Sequence, residues 1–107
     1  MKKTYNKLVR DKIIDKIIAN GEKPKYSTLT KEQYINELHK KLLEEVNEFV
    51  EADDPEELAD VLEVLLAIAK IKNIKLEDAE AIRRQKRLKR GGFDKKIYLE
   101  EVETFEK

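Results

Sequence analysis

The chain of 107 residues contains no cysteine and no tryptophan, and it has only one histidine, three glycines and two prolines. Without cysteine it can form neither a disulfide framework nor a thiolate metal site. No apolar run approaches the roughly 20 residues that a membrane-spanning helix needs. The basic start, Met1-Lys2-Lys3, is not followed by the hydrophobic core of a signal peptide. We therefore expect a cytoplasmic protein without a membrane partner, formed by one domain over residues 1–107.

Charge is abundant but balanced, because the 23 acidic and 23 basic residues cancel. A net charge of zero argues against general affinity for nucleic acid, so we expect no nucleic-acid partner. The acids concentrate in residues 44–63 and the bases in residues 83–90. This segregation indicates either a site with a cation-holding and an anion-holding part, or charged helix faces that confer solubility.

The spacing of apolar residues predicts an all-α fold. Thr30 and Gln33 fit a capping box at the start of the second helix. Asp54 and Pro55 fit the N-cap and the first helical position of the third. The helices are expected at about Asp11–Asn20, Thr30–Ala52, Pro55–Lys72 and Leu76–Arg90, and residues 93–104 as a short extended C-terminal segment or small strand.

The third helix is apolar around most of its circumference, apart from a narrow polar strip at Glu56, Glu63 and Lys70. A helix of this kind is buried, and a chain of this length can hardly surround it. We therefore expect a bundle of about four helices that is completed by oligomerisation, with the third helix packed against a second subunit.

Two acid-x-x-acid pairs, Glu45/Glu48 and Glu57/Asp60, lie on the second and third helices. Residues three apart are neighbours on one helix face, and at about 100° per residue Glu57 lies about 20° from Val64. The second pair therefore points where the apolar residues point. Buried carboxylates are paired, protonated or bound to a metal, and a divalent cation such as Mg²⁺ would satisfy all four acids.

Other interpretations of these acids stay open. With Asp54 as the N-cap, Glu57 occupies the position where a glutamate completes a capping box. Glu45 and Glu48 alternatively form a solvated rim beside the apolar stripe, and the orientation of Glu44 is ambiguous.

Basic residues that are suited to phosphate oxygens occur in two places. Four of them fall on one face of the fourth helix within roughly 100°, and others lie near the N-terminus. For each of them a solvated surface position is the alternative. The candidates are Lys7, Arg10, Arg83, Lys86, Arg87 and Arg90.

The pattern Glu44-Glu45-x-x-Glu48 followed by Glu56-Glu57-Leu58-x-Asp60 resembles the signature of the MazG-like superfamily of all-α nucleotide pyrophosphohydrolases. Three further stretches are similar to its small phosphoribosyl-ATP-pyrophosphohydrolase-like members. These are Tyr5 to Ile13, Lys41 to Phe49 and Arg90 to Phe93.

The resemblance implies a helical bundle that forms a homodimer or homotetramer. It also implies Mg²⁺-dependent cleavage, with Mn²⁺ as the alternative ion, of a nucleoside triphosphate to the monophosphate and pyrophosphate. Carried over by position, the metal ligands are Glu45, Glu48, Glu57 and Asp60. Glu44 or Glu48 would accept a proton from the attacking water. Only eight residues separate Glu48 from Glu57, whereas many members have a longer insert, so we expect altered substrate selectivity.

Two other functions compete with hydrolysis. The chain could be a non-catalytic oligomeric helical module that binds a nucleotide or a protein, with the acids in structural roles. It could also bind nucleic acid through the basic face of the fourth helix, although its zero net charge and neighbouring acids disfavour this.

Overall fold

A computed structural model describes residues 1–105 of the chain and confirms the all-α prediction. The described residues form no strand. None of their helices combines the length and the apolar character that crossing a membrane requires. The helices are α1 (Ile13–Ala19), α2 (Lys31–Ala52), α3 (Pro55–Ile71) and α4 (Leu76–Arg90).

The start of α2 is the capping box that the sequence predicts. The Thr30 hydroxyl accepts a hydrogen bond from the backbone N–H of Gln33 at 3.3 Å, and Gln33 Oε1 accepts one from the N–H of Thr30 at 3.1 Å. These contacts satisfy two of the donors that every helix start leaves free. The capping box therefore defines the residue at which α2 begins. This start fixes the helix face on which each acid of α2 lies.

A two-residue turn joins α2 to α3. Asp53 adopts a left-handed conformation with φ 53°, and its N–H donates to the carbonyl of Phe49 at 2.8 Å. Asp54 then caps α3, because its Oδ1 accepts a hydrogen bond from the N–H of Glu57 at 2.9 Å. Pro55 follows at the first position of α3, where its missing N–H costs nothing. The short turn folds α2 and α3 into an antiparallel hairpin.

The core of this hairpin is small. Among the described residues, the buried apolar side chains are Leu38, Val64 and Ala69, with exposures of 3%, 8% and 8%. Much of the apolar surface of α3 stays open in the single chain. Its exposed leucines are Leu58, Leu62, Leu65 and Leu66, and α2 adds Leu43, Val46 and Val50. Completion of the bundle by a second subunit stays a prediction.

The chain divides into two compact units, one from Met1 to Ile74 and one from Lys75 onward, each described here by itself. The first contains α1 and the α2–α3 hairpin. In the second, α4 is followed by Gly91 with φ 82°. A turn comes next, in which the N–H of Lys96 donates to the carbonyl of Phe93 at 3.1 Å. Residues 97–105 form neither helix nor strand. The expectation of one domain stays a prediction.

Replacing Thr30 with alanine should destabilise the first unit, because the first turn of α2 loses its side-chain cap. We expect a loss of about 1 kcal/mol in the free energy of unfolding, measured by urea denaturation. Thr28→Ala is the matched control, since Thr28 is an exposed threonine of the preceding loop. Equal stability of the two variants would contradict a stabilising role for the cap.

Candidate metal centre

Three carboxylates converge where α2 meets α3. Oxygens of Glu45, Glu57 and Asp60 lie within 4.8 Å of one another. Glu45 comes from α2, and the other two come from the first two turns of α3. The tight turn at Asp53 and Asp54 brings these parts of the helices side by side. The structure therefore brings together three of the four acids that the sequence predicts as metal ligands.

Glu45 is the most constrained member of the cluster, because only 7% of its surface is exposed. Its Oε2 atom is buried and has no hydrogen-bond partner among the described residues. Oε2 of Glu57 is buried and unpartnered in the same way. Unpaired polar atoms of this kind are costly, and a charged one costs most. Two such oxygens on neighbouring helices mark a place where a cation would be stabilised.

Two basic residues compensate part of the charge. Nζ of Lys41 lies 3.2 Å from Oε1 of Glu45, and Nη2 of Arg10 lies 2.8 Å from Oδ1 of Asp60. Sequence analysis did not assign either contact. The four-residue spacing of Lys41 and Glu45 was a usable signal. The contact of Arg10 joins positions 50 residues apart, and no local pattern reports such a pair.

Glu48 lies at the exposed edge of this cluster. Its pKa is raised above the ordinary value, chiefly because its protonated form can hydrogen-bond to the Glu45 carboxyl, and further by repulsion from that charge. The pKa of Glu57 is also raised, chiefly by burial and then by repulsion from Asp54 and Asp60. Both carboxylates therefore bind protons more readily than a free glutamate, and a bound cation would relieve the same repulsion.

The structure separates the capping and metal interpretations of Glu57. The backbone N–H of Glu57 serves the cap, since it donates to Asp54 at 2.9 Å. Its carboxylate is available to the acid cluster, where one oxygen lies within reach of Glu45 and Asp60. The Glu57 side chain does not complete a capping box with Asp54, so capping does not account for its buried carboxylate oxygen.

The donor set fits a hard divalent cation. Carboxylate oxygens are the ligands that Mg²⁺ and Mn²⁺ prefer. Opposite ligands in a Mg²⁺ shell stand about 4.2 Å apart, so the three oxygens, which lie within 4.8 Å of one another, would have to move closer together around one ion. Four carboxylates meet two basic groups here, which leaves two negative charges to balance. These groups are Glu45, Glu48, Glu57 and Asp60 with Lys41 and Arg10.

The other predicted residues of the first unit lie around the cluster. Glu44 is half-buried, and its Oε1 is 3.8 Å from Nζ of Lys41. Lys7 is exposed, with its ammonium group 5.8 Å from the ring centre of Tyr5. Glu56 and Glu63 are exposed, as their helical phase predicts. His39, to which we assign no catalytic role, lies 3.0 Å from Nζ of Lys72 through its Nε2.

The predicted phosphate-binding residues of α4 belong to the second unit. Arg83 bonds to Glu80 on its own helix, with Nε 2.9 Å from Oε2. This arginine, with help from Arg84, lowers the pKa of Glu80 to about 2. Arg87 lies 3.8 Å from a carboxylate oxygen of Asp94, and Lys86 and Arg90 are exposed. Phosphate binding by these four residues stays a prediction, and the pairing with Glu80 makes Arg83 the least available of them.

Comparison of the chain with protein-family models, curated proteins and solved structures finds no match. Membership of the MazG-like superfamily therefore stays a prediction from the sequence motifs.

Replacing Glu57 with glutamine should stabilise the metal-free protein at pH 7, because it removes a buried charge that lacks a partner. The pKa of Glu57 is raised in the folded state, so its carboxyl favours folding below the ordinary value of 4.5 and loses that contribution as pH rises above it. The stability gain of Glu57→Gln should therefore shrink as pH falls from 7 to about 4.

Thermal unfolding in EDTA at these two pH values measures the effect. Glu56→Gln is the control, since Glu56 is the exposed neighbour of Glu57 in the first turn of α3. An equal gain in both variants would show that burial of Glu57 is not its cause.

Proposed function

We propose that the chain is a Mg²⁺-dependent nucleoside triphosphate pyrophosphohydrolase that acts on nucleotides in the cytoplasm. Its products would be a nucleoside monophosphate and pyrophosphate. The observation that carries the proposal is the buried Glu45 carboxylate, which has one unpartnered oxygen and belongs to the same cluster as Glu57 and Asp60. All three acids occupy positions of the motif that resembles the superfamily signature.

Glu45, Glu57 and Asp60 would hold the ion, and Glu48 would join them by rotation from its exposed position. Mn²⁺ is the alternative ion for the same oxygen ligands. When bound, the ion would neutralise phosphate charge and lower the pKa of an attacking water. Lys41 would stay beside Glu45 and hold that carboxylate in place.

Glu48 is the better placed of the two proton acceptors that the sequence indicates. It is exposed, so water reaches it. Glu44 is the other candidate, but its carboxylate already lies near Lys41. In the reaction, a water oxygen would bond to the phosphorus of the nucleoside monophosphate, and the bond from this phosphorus to the pyrophosphate oxygen would break. Pyrophosphate would leave, and Glu48 would take the proton of the water.

The substrate phosphates bring about four negative charges, and an acid cluster would repel them without basic groups nearby. In the first unit these groups are Arg10, which already contacts Asp60, and Lys7. Phosphate binding by the basic face of α4 stays a separate prediction for the second unit. Arginine suits it because its guanidinium offers paired donors to phosphate oxygens.

Asp60→Asn should abolish pyrophosphate release from nucleoside triphosphates, because it removes a charged ligand and leaves the size of the side chain unchanged. We expect a loss of about a hundredfold or more, since even residues that only support metal ligands cost up to that factor. The assay is pyrophosphate release from a panel of triphosphates with Mg²⁺, Mn²⁺ or EDTA.

Glu63→Gln is the matched control, since it removes one charge from the exposed side of α3 and should keep full activity. Full activity of Asp60→Asn would disprove the ligand assignment. Absence of release from every triphosphate, together with absence of metal binding, would favour the non-catalytic module. Salt-dependent binding of DNA or RNA would instead support the nucleic-acid function.

We also propose that the protein works as a homodimer or homotetramer. The support is the apolar stripe of α3, where Leu58, Leu62, Leu65 and Leu66 are between 42% and 52% exposed. Four leucines in about two helical turns make an apolar surface that water solvates poorly. A second copy of the hairpin would bury them.

Replacing Leu62 with lysine should therefore shift the protein toward the monomer, because a charge would enter the apolar contact. Light scattering after size-exclusion chromatography measures the mass in solution. Glu63→Lys, one residue along on the polar strip, introduces the same lysine outside the stripe and should leave the mass unchanged. A native chain that is already monomeric would contradict the proposed assembly.

A further inference from the structure

We propose that Arg10 is an exchangeable counter-ion, which holds Asp60 before the cation binds and is released toward the substrate phosphates when the cation takes that carboxylate. The segment of residues 1–12, which precedes α1, would then be a strap whose attachment reports the state of the metal centre. This inference rests on the proposed function. It adds to it an arginine that exchanges a carboxylate partner for a phosphate partner.

The strap contacts the site through one ion pair. Nη2 of Arg10 lies 2.8 Å from Oδ1 of Asp60. The strap has no helix or strand of its own, and its residues are exposed apart from the half-buried Leu8. Arg10 is held near the start of α1, since its carbonyl accepts a hydrogen bond from the N–H of Ile13 at 3.1 Å. The Arg10 side chain can therefore leave Asp60 without any change in the helices.

The exchange follows from the exposure of the two partners. The Arg10 side chain is 60% exposed and that of Asp60 is 35% exposed. Ion pairs in contact with water are weak, because solvent screens them and long side chains lose freedom. A divalent cation would contact several carboxylates at once, two of which carry a buried oxygen without a partner. The cation should therefore displace Arg10 from Asp60.

The released guanidinium remains close to where phosphates would arrive. A nucleoside triphosphate that binds through the cation places its oxygens next to Asp60. Arg10 can then turn its donors from a carboxylate to a phosphate, which is equally suited to arginine. The same side chain would thus neutralise the charge of Asp60 before the cation binds, and it would bind the substrate phosphates afterwards.

The absence of cysteine from the chain allows a direct test. A spin label on Thr4→Cys reports the mobility of the strap by electron paramagnetic resonance, without labelling any other site. Mg²⁺ binding to the same protein is measured by calorimetry. We expect the label to become more mobile as Mg²⁺ is added, with a midpoint at the Kd from calorimetry.

Two variants identify the contact. Arg10→Gln should give a mobile label without Mg²⁺ and a Kd for Mg²⁺ that is about two- to fivefold lower, as expected for loss of a weak exposed ion pair. Arg10→Lys keeps the charge and should restore part of the metal-dependent change. Lys2→Gln removes one positive charge from the same strap and should leave both the mobility change and its midpoint as in the native chain.

The outcomes separate this inference from the proposed function. Absence of Mg²⁺ binding in the native chain would overturn both. Mg²⁺ binding with no change in label mobility, or with the same change in Arg10→Gln, would overturn only the exchange of Arg10. Mg²⁺-dependent mobility that disappears in Arg10→Gln and survives in Lys2→Gln would support it.

Discussion

A carboxylate inside a small helical hairpin is the constraint on which the rest of the first unit depends. Glu45 is 7% exposed, and one of its oxygens has no hydrogen-bond partner among residues 1–105. A buried charge is tolerated only with compensation. Lys41 supplies part of it at 3.2 Å, and a carboxylate oxygen of Glu45 lies within 4.8 Å of oxygens of Glu57 and Asp60. The buried carboxylate therefore costs stability at a position where packing alone would favour an apolar residue.

The turn between α2 and α3 connects the fold to this site. Only Asp53 and Asp54 lie between the helices, and the cap of Asp54 on the Glu57 N–H sets where α3 begins. Glu57 and Asp60 then fall one turn apart on the side that faces Glu45. A longer connection would leave room for a pocket wall, whereas this one makes the carboxylates close neighbours.

Local patterns in the sequence were sufficient for the helices and for the three acids that the structure brings together. Capping residues and apolar spacing mark helix starts and faces, and phase separates Glu57 and Asp60 from the exposed Glu56 and Glu63. Two features escaped prediction for physical reasons. The contact of Arg10 with Asp60 depends on tertiary folding over 50 residues. The absence of Glu48 from the close triad depends on side-chain burial, which helical phase describes only coarsely.

The balance of charges explains why such a site would bind its cation reversibly. Asp60 is compensated by Arg10, whose long side chain is mostly exposed. The pKa of Glu48 is raised chiefly by its hydrogen bond to Glu45 and that of Glu57 chiefly by burial, and repulsion among the acids contributes to both. Part of the binding free energy of a cation would come from relief of that repulsion. The repulsion that destabilises the metal-free protein would therefore increase its affinity for the cation.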